Sequence, residues 1–167
     1  MKKGEIYEGI IEKVDFPNKG YVCIDDQKVL IKNGIPGQKV RFMIQKKRSG
    51  RAQGRILEVL EKSPFETRDA VCNNFPACGG CMYQTMSYEN QLVMKETQIR
   101  ELLEEALVRG GQVDKNGQAD FDWEGIHGSP IEFGYRNKME FSFGDEYKDG
   151  PLSLGLHKKG STYDILN

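Results

Sequence analysis

Five short apolar segments separated by turns fill the first 62 residues, and they constrain the fold of this region more than any other feature. The segments are Ile6–Val14, Tyr21–Ile24, Val29–Ile31, Val40–Ile44 and Ile56–Leu60. Clusters of Pro, Gly, Asn, Asp and Ser lie between them, which is typical of strands joined by tight turns. Five strands in so short a stretch predict a small closed barrel of the OB type, because closure leaves no strand edge unpaired.

A helix is predicted over about residues 87–109. Ser87 provides an N-cap, apolar residues recur at helical spacing from Tyr88 to Ala106, and Gly110 with Gly111 ends the pattern. Strands are expected after residue 120, at Phe121–Ile126, Tyr135–Phe143, Leu152–Leu156 and Thr162–Leu166.

The fold class is therefore predicted as β and α+β in three segments. These are a barrel over residues 1–63, a cysteine-rich segment over 64–86 and the start of a central α+β domain over 87–167. The last strand pattern runs to Asn167, and the strands after the helix are too few to make a covered sheet. We therefore expect the chain to be the N-terminal fragment of a longer protein.

The two parts of the chain differ in charge, although the net charge of the whole is only −1. Residues 1–64 contain 14 Lys and Arg against 8 Asp and Glu, a net charge of +6, and the rest of the chain has a net charge of −7. A basic module next to an acidic one indicates different partners, and the basic one suits a polyanion. No apolar stretch of membrane-spanning length and no secretory signal are visible, which predicts a cytoplasmic, reducing location.

Three cysteines form the sharpest motif, Cys72-x5-Cys78-x2-Cys81, with Gly79 and Gly80 in the second interval. Glycines at these positions let backbone N–H groups approach the sulfur atoms. Clustered thiols in a reducing compartment suit an iron–sulfur cluster or zinc, and both usually take four ligands. The spacing alone leaves these two open, together with unligated thiols.

The remaining cysteine and the two histidines are expected in structural positions, with a role as metal ligands as the alternative. Cys23 falls on a barrel strand and is expected to be a small buried residue. His127 and His157 are expected at strand ends or on the surface.

The run from Cys78 to Lys95, which begins Cys-Gly-Gly-Cys-Met-Tyr-Gln, resembles the region after the cluster cysteines in bacterial RNA (uracil-5-)-methyltransferases. These enzymes make 5-methyluridine in ribosomal and transfer RNA. Residues 1–63 look like the TRAM domain of that family, and Gly134–Phe141 resembles the strand that opens its central domain. The resemblance covers nearly the whole chain, and the cysteine motif is its most specific part.

The resemblance implies a 4Fe-4S cluster held by Cys72, Cys78 and Cys81, with a fourth ligand beyond Asn167. It implies S-adenosylmethionine as the cofactor of the parent protein. The family's Gly-rich cofactor site and nucleophilic cysteine have no counterpart here, so no catalytic residue is assigned. We expect the chain alone to be inactive and its cluster to be incomplete or lost.

The resemblance thus predicts the RNA-binding and cluster-binding part of a methyltransferase that acts on 23S ribosomal RNA, with transfer RNA the less favoured substrate. The protein is expected to be a monomer. The alternative is a stand-alone RNA-binding or zinc-binding module without enzymatic activity.

Seven basic residues are candidate RNA contacts. Five surround a predicted turn at Ser49-Gly50, namely Lys46, Lys47, Arg48, Arg51 and Arg55, and the other two are Arg136 and Lys138. A cationic hairpin suits contact with phosphates, and its alternative is a solvated loop. Candidate platforms for base stacking, with core or rim positions as the alternative, are Tyr7, Phe16, Tyr21 and Phe42.

Overall fold

A computed structural model describes residues 1–48, 50–161 and 163–167 of the chain. The chain forms two compact units. The first contains Met1–Glu66 and Ser87–Gly128, and the second contains Thr67–Met86 and Ser129–Asn167. The predicted domain boundaries at residues 63 and 86 remain a prediction.

Six strands form one curled sheet in the first unit. They are β1 (Ile6–Ile10), β2 (Lys13–Asp15), β3 (Lys19–Ile24), β4 (Gln27–Lys32), β5 (Lys39–Arg48) and β6 (Arg51–Glu61). Their order across the sheet is β1-β5-β6-β4-β3-β2, and β4 pairs with β6 in parallel while the other neighbours are antiparallel. The number differs from the predicted five because the first predicted strand is divided after Ile10.

The two outer strands, β1 and β2, are consecutive parts of one bent segment. The Ile11 N–H donates to the Gln38 carbonyl at 2.9 Å, beside β5, whereas the Glu12 N–H donates to the Tyr21 carbonyl of β3 at 2.9 Å. The chain therefore passes from one edge of the sheet to the other within two residues. This exchange of partners lets the sheet curl back on itself without leaving a long unpaired edge.

Alternate residues of the strands fill the inside of the curled sheet. The buried set is Ile11, Val14, Val22, Val29, Ile31, Val40, Phe42, Ile44 and Ala52. Burial of each large aliphatic or aromatic side chain stabilises the fold by about 1.5–3 kcal/mol. The prediction that Cys23 is buried is wrong, because Gly20 and Val22 take the inward positions of β3 and leave Cys23 exposed.

The predicted helix is confirmed as α1 (Tyr88–Arg109), which belongs to the first unit. The Asn90 N–H donates to the Ser87 Oγ at 3.2 Å, and Gly110 is the C-cap. No helix in the described part of the chain is both long and apolar enough to cross a membrane.

Two polar residues of α1 bond to the sheet. The buried Gln98 side chain donates from Nε2 to the Val14 carbonyl at 2.7 Å, and Glu101 forms an ion pair with Lys13 at 2.7 Å. Leu102 and Leu103 of the predicted apolar stripe are exposed. The helix is thus anchored to the sheet by a hydrogen bond to a backbone carbonyl.

A second, three-stranded antiparallel sheet lies in the second unit, with β7 (Ser142–Asp145), β8 (Leu152–His157) and β9 (Ile165–Leu166) in that order. The predicted strand at Phe121–Ile126 is wrong, and Tyr135–Phe143 is a strand only from Ser142 onward. Both segments have apolar residues but no strand beside them in the described ranges. Thr162 of the last predicted strand and Ser49 of the predicted turn lie outside the described residues.

Replacing Gln98 by Ala should leave the buried Val14 carbonyl without its donor. We expect the free energy of unfolding to fall by about 1–3 kcal/mol, measured by urea denaturation of the 167-residue chain. Gln112, the same residue type in an exposed position, provides the control, because Gln112→Ala removes no buried contact. Equal stability of the two variants would contradict the anchoring role of Gln98.

Candidate nucleic-acid interface and cysteine loop

The β5–β6 hairpin carries five of the predicted RNA contacts, and the strand register decides which of them share a face. Residues directly opposite each other on paired strands lie on the same face. Lys46 is opposite Gln53, and Arg48 is opposite Arg51. Ala52, between Gln53 and Arg51, is buried in the core. Lys46, Arg48 and Arg51 therefore lie together on the outer face of the sheet.

The other two basic residues of the hairpin divide between the faces. Arg55 is opposite Met43 and is exposed on the outer face with the first three. Lys47 is opposite Ala52, on the inner side, and its Nζ donates to the Met1 carbonyl at 3.3 Å. The structure thus brings four of the five predicted cations together and separates Lys47 from them.

These four outer-face cations have no ion-pair partner among residues 1–48, 50–161 and 163–167. By contrast, Arg41, farther along β5, pairs with both Glu8 and Glu58. An unpaired cation needs to break no ion pair before it contacts a phosphate. The hairpin tip is therefore the part of β5 and β6 that is best suited to a polyanion.

Arg136 and Lys138 lie in the second unit, on backbone that is not a strand. Their predicted strand is wrong because β7 begins at Ser142. The Lys138 ammonium pairs with Glu140 at 2.8 Å, and both side chains are highly exposed. A contact of these two residues with RNA remains a prediction.

The four candidate stacking residues occupy three kinds of position. Phe42 is fully buried, and Tyr7 stacks on it with ring centroids 6.2 Å apart, so both belong to the core. Phe16 is exposed. Tyr21 is half-buried on the outer side of β3, because Gly20 and Val22 point inward. Only Tyr21 of these four shares the outer face with the hairpin cations.

The clustered cysteines lie on a loop of the second unit. Cys72 and Cys81 are exposed, and Cys78 is partly buried. The Gly80 N–H donates to the Cys78 Sγ at 3.3 Å, which is the approach of a backbone amide to sulfur that the glycines predict. In the described ranges, no three His, Cys, Asp or Glu side chains are close enough to hold one metal ion. The three thiols would have to come closer together to share one.

The turn at Cys78 is attached to the connection between β8 and β9. The Gly79 N–H donates to the His157 carbonyl at 2.9 Å, and the Lys159 N–H donates to the Ala77 carbonyl at 2.7 Å. A Cβ on Gly79 would lie 3.1 Å from the His157 oxygen, so a side chain there would crowd this contact. His157 thus contacts the turn at Cys78 through its backbone carbonyl.

Lys159 is a residue of this site that no sequence motif indicates. Its ammonium lies 5.6 Å from the centroid of the Phe75 ring. Burial lowers the pKa of Lys159, while the nearby Cys78 and Cys81 sulfur atoms act in the opposite direction. Cysteine sulfur is a ligand for both iron and zinc, so the chemistry of this donor set suits either metal.

Comparisons with known proteins find relatives that are named RNA methyltransferases. No protein-family model matches it. An uncharacterized RNA methyltransferase of Caldanaerobacter subterraneus subsp. tengcongensis is 43% identical over 166 residues, which cover 99% of this chain and 34% of that protein. A second uncharacterized RNA methyltransferase, from Clostridium tetani, is 44% identical over 167 residues, which cover 100% of this chain and 34% of that protein. A third, from Porphyromonas gingivalis, is 35% identical over 159 residues, and the match covers 86% of this chain and 32% of that protein.

A solved structure has a similar fold. It is the Pyrococcus abyssi tRNA (uracil-54, C5)-methyltransferase in complex with S-adenosyl-L-homocysteine, which matches with a TM-score of 0.53 and 18% identity. The match covers 96% of this chain and 31% of that one. The chain spans about a third of the length of the curated relatives it matches. Along its whole length, the chain is therefore homologous to about one third of a group of bacterial proteins that are named RNA methyltransferases.

Proposed function

We propose that this chain is the RNA-binding and cluster-binding part of an S-adenosylmethionine-dependent RNA (uracil-5-)-methyltransferase. The observation that carries the proposal is the similarity of 99–100% of the chain to proteins named RNA methyltransferases. The Pyrococcus abyssi protein supports the choice of uracil C5 and of an S-adenosyl cofactor, because its fold is similar. The chemistry of methyl transfer is assigned to the two thirds of the relatives' length that this chain does not span.

Within this assignment, the curled sheet of the first unit is a TRAM domain that contacts RNA through the hairpin cations. Ribosomal RNA is the proposed substrate, on the strength of the resemblance carried by the Cys78–Gln84 motif. Transfer RNA is the alternative, since it is the substrate in the name of the structural neighbour. The protein is proposed to act in the cytoplasm as a monomer.

In the second unit, Cys72, Cys78 and Cys81 would hold a 4Fe-4S cluster. The Gly80 amide and the Lys159 ammonium would stabilise the negative charge on the sulfur atoms. One ligand position is left to a group other than these three thiols. When bound, a cluster so placed would connect the two ends of the cysteine loop and order the surface around it.

The methyltransferase assignment is tested by extending the chain to the length of its relatives. The extended protein should transfer tritiated methyl groups from S-adenosylmethionine to C5 of uridine in unmodified 23S ribosomal RNA, and the 167-residue chain alone should transfer none. A transfer RNA transcript assayed in parallel separates the two substrates. Methylation of neither RNA at C5 would reject the assignment.

The contact with RNA is tested by paired variants of the hairpin. Combining Lys46→Ala with Arg48→Ala should weaken binding of a labelled 12-nucleotide oligouridylate. The slope of log affinity against log salt should become shallower by about 1.4, since each contact with a single strand contributes about 0.7. Lys47→Ala is the matched control, because Lys47 lies on the inner side of the hairpin. The hypothesis fails if Lys47→Ala has as large an effect as the double variant.

The cluster is tested by anaerobic reconstitution of the 167-residue chain with ferrous iron and sulfide. Cys78→Ala should lower the bound iron substantially, because one of three assigned ligands is lost. Cys23→Ala is the natural control, since Cys23 is an exposed thiol of the first unit. Iron content and visible absorption are measured for both. Equal iron in the two variants would show that the cysteine loop is not the site.

A further inference from the structure

The outer face of the curled sheet carries cations well beyond the hairpin tip. β4 pairs in parallel with β6, with Val29 opposite Ala52 and Ile31 opposite Gly54. This register places Lys28 level with Arg51. Lys28 is exposed on the outer face because the residue after it, Val29, is buried.

Pairing across β3, β4, β6 and β5 arranges this outer face in three rows. The first row is Cys23, Lys28, Arg51 and Arg48. The second row is Tyr21, Leu30, Gln53 and Lys46. The third row is Lys19, Lys32, Arg55 and Met43, in which Lys32 and Arg55 are level because they directly follow the paired Ile31 and Gly54. Because neighbouring strands lie about 4.8 Å apart, each row is roughly 14 Å long.

Within these three rows the charges are of one sign, although Glu58 lies farther along β6, where it pairs with Arg41, and Asp15 of β2 is opposite Lys19. Seven cations occupy the three rows, and in the part of the chain that the structure describes none of them pairs with a carboxylate. Carboxylates lie at the borders of this face, at Asp25 and Asp26 in the β3–β4 turn and at Asp15 on β2, where Lys13 pairs with Asp15 at 3.3 Å. Unpaired charges of one sign on a single face create a potential that attracts a polyanion.

The middle row differs from the two beside it, because Tyr21 and Leu30 make it partly apolar. These two residues are directly opposite each other on β3 and β4, and both are half-buried. An aromatic ring between cations suits a base whose flanking phosphates contact the cations. The bases of a duplex are stacked inside it and could not reach Tyr21, whereas those of a single strand could.

We propose that a single strand of RNA lies on this outer face, with its phosphates along the two outer rows and a base stacked on Tyr21 in the middle row. This inference rests on the proposed function and extends its RNA contact from the hairpin to four strands. Lys19, Lys28 and Lys32 become contacts, although no motif marks them in the sequence. Tyr21, one of the four candidate stacking residues, becomes the platform.

Cys23 provides a direct reporter of the first row, because it is exposed and lies opposite Lys28. The 12-nucleotide oligouridylate, at ten times its dissociation constant, should slow alkylation of Cys23 by iodoacetamide about tenfold, since only the free protein reacts. The rate is measured by mass spectrometry of the Cys23 peptide from the 167-residue chain. A 12-base-pair RNA duplex at the same concentration should protect Cys23 much less.

Substitutions test the rows separately. Lys28→Ala combined with Lys32→Ala should make the salt slope shallower by about 1.4. Tyr21→Ala should weaken binding roughly tenfold, and Tyr21→Phe, which keeps the ring, should restore it. Lys115→Ala combined with Lys148→Ala removes the same charge at exposed positions off this face and is the matched control. Circular dichroism verifies that each variant is folded.

The outcomes separate this inference from the proposed function. If Lys46→Ala with Arg48→Ala weakens binding while the Lys28 and Lys32 variant does not, and Cys23 stays reactive, RNA contacts only the hairpin. The extension is then overturned and the hairpin contact stands. If neither double variant weakens binding, the contact on the outer face and the hairpin contact are both rejected. Equal binding and protection by the duplex would overturn the single-strand assignment.

Discussion

The backbone of Ile11 and Glu12 is the constraint on which the first unit depends. Buried amide and carbonyl groups must find partners, and Ile11 is completely buried. Its N–H and carbonyl both bond beside β5, to Gln38 and Gly37, while the next N–H bonds to Tyr21 on β3. The peptide unit between Ile11 and Glu12 thus makes hydrogen bonds at both edges of the sheet. The four strands between those edges then form a continuous outer surface, which is where the unpaired cations lie.

Features that depend on local sequence could be predicted, and those that depend on a distant strand could not. Ser87 and Gly110 determine the ends of α1 through contacts within a few residues, so the predicted helix was confirmed. The exposure of Cys23 follows from the register of β3, which apolar residues on both sides of it did not reveal. Phe121–Ile126 alternates like a strand, but an alternating pattern forms a strand only where another strand supplies hydrogen bonds.

The candidate sites follow the same division. The spacing of Cys72, Cys78 and Cys81 is visible in the sequence, whereas Lys159 joins them only because a hairpin about eighty residues later bonds to Ala77 and Gly79. Likewise, the cations around Ser49-Gly50 form a run, but Lys28 comes beside Arg51 only through the parallel pairing of β4 with β6. Parallel pairing joins residues far apart in sequence, and no local pattern indicates its register.

The glycines of the curled sheet have a consequence for what this unit can bind. A Cβ on Gly9 would lie 2.3 Å from Val22, one on Gly34 would lie 2.0 Å from Ile11, and one on Gly54 would lie 2.7 Å from Phe42. At these three glycine positions the interior has no room even for a methyl group. A small molecule could enter between the strands there only if this packing opened, whereas the convex exterior is already lined by long, flexible side chains that reach into solvent.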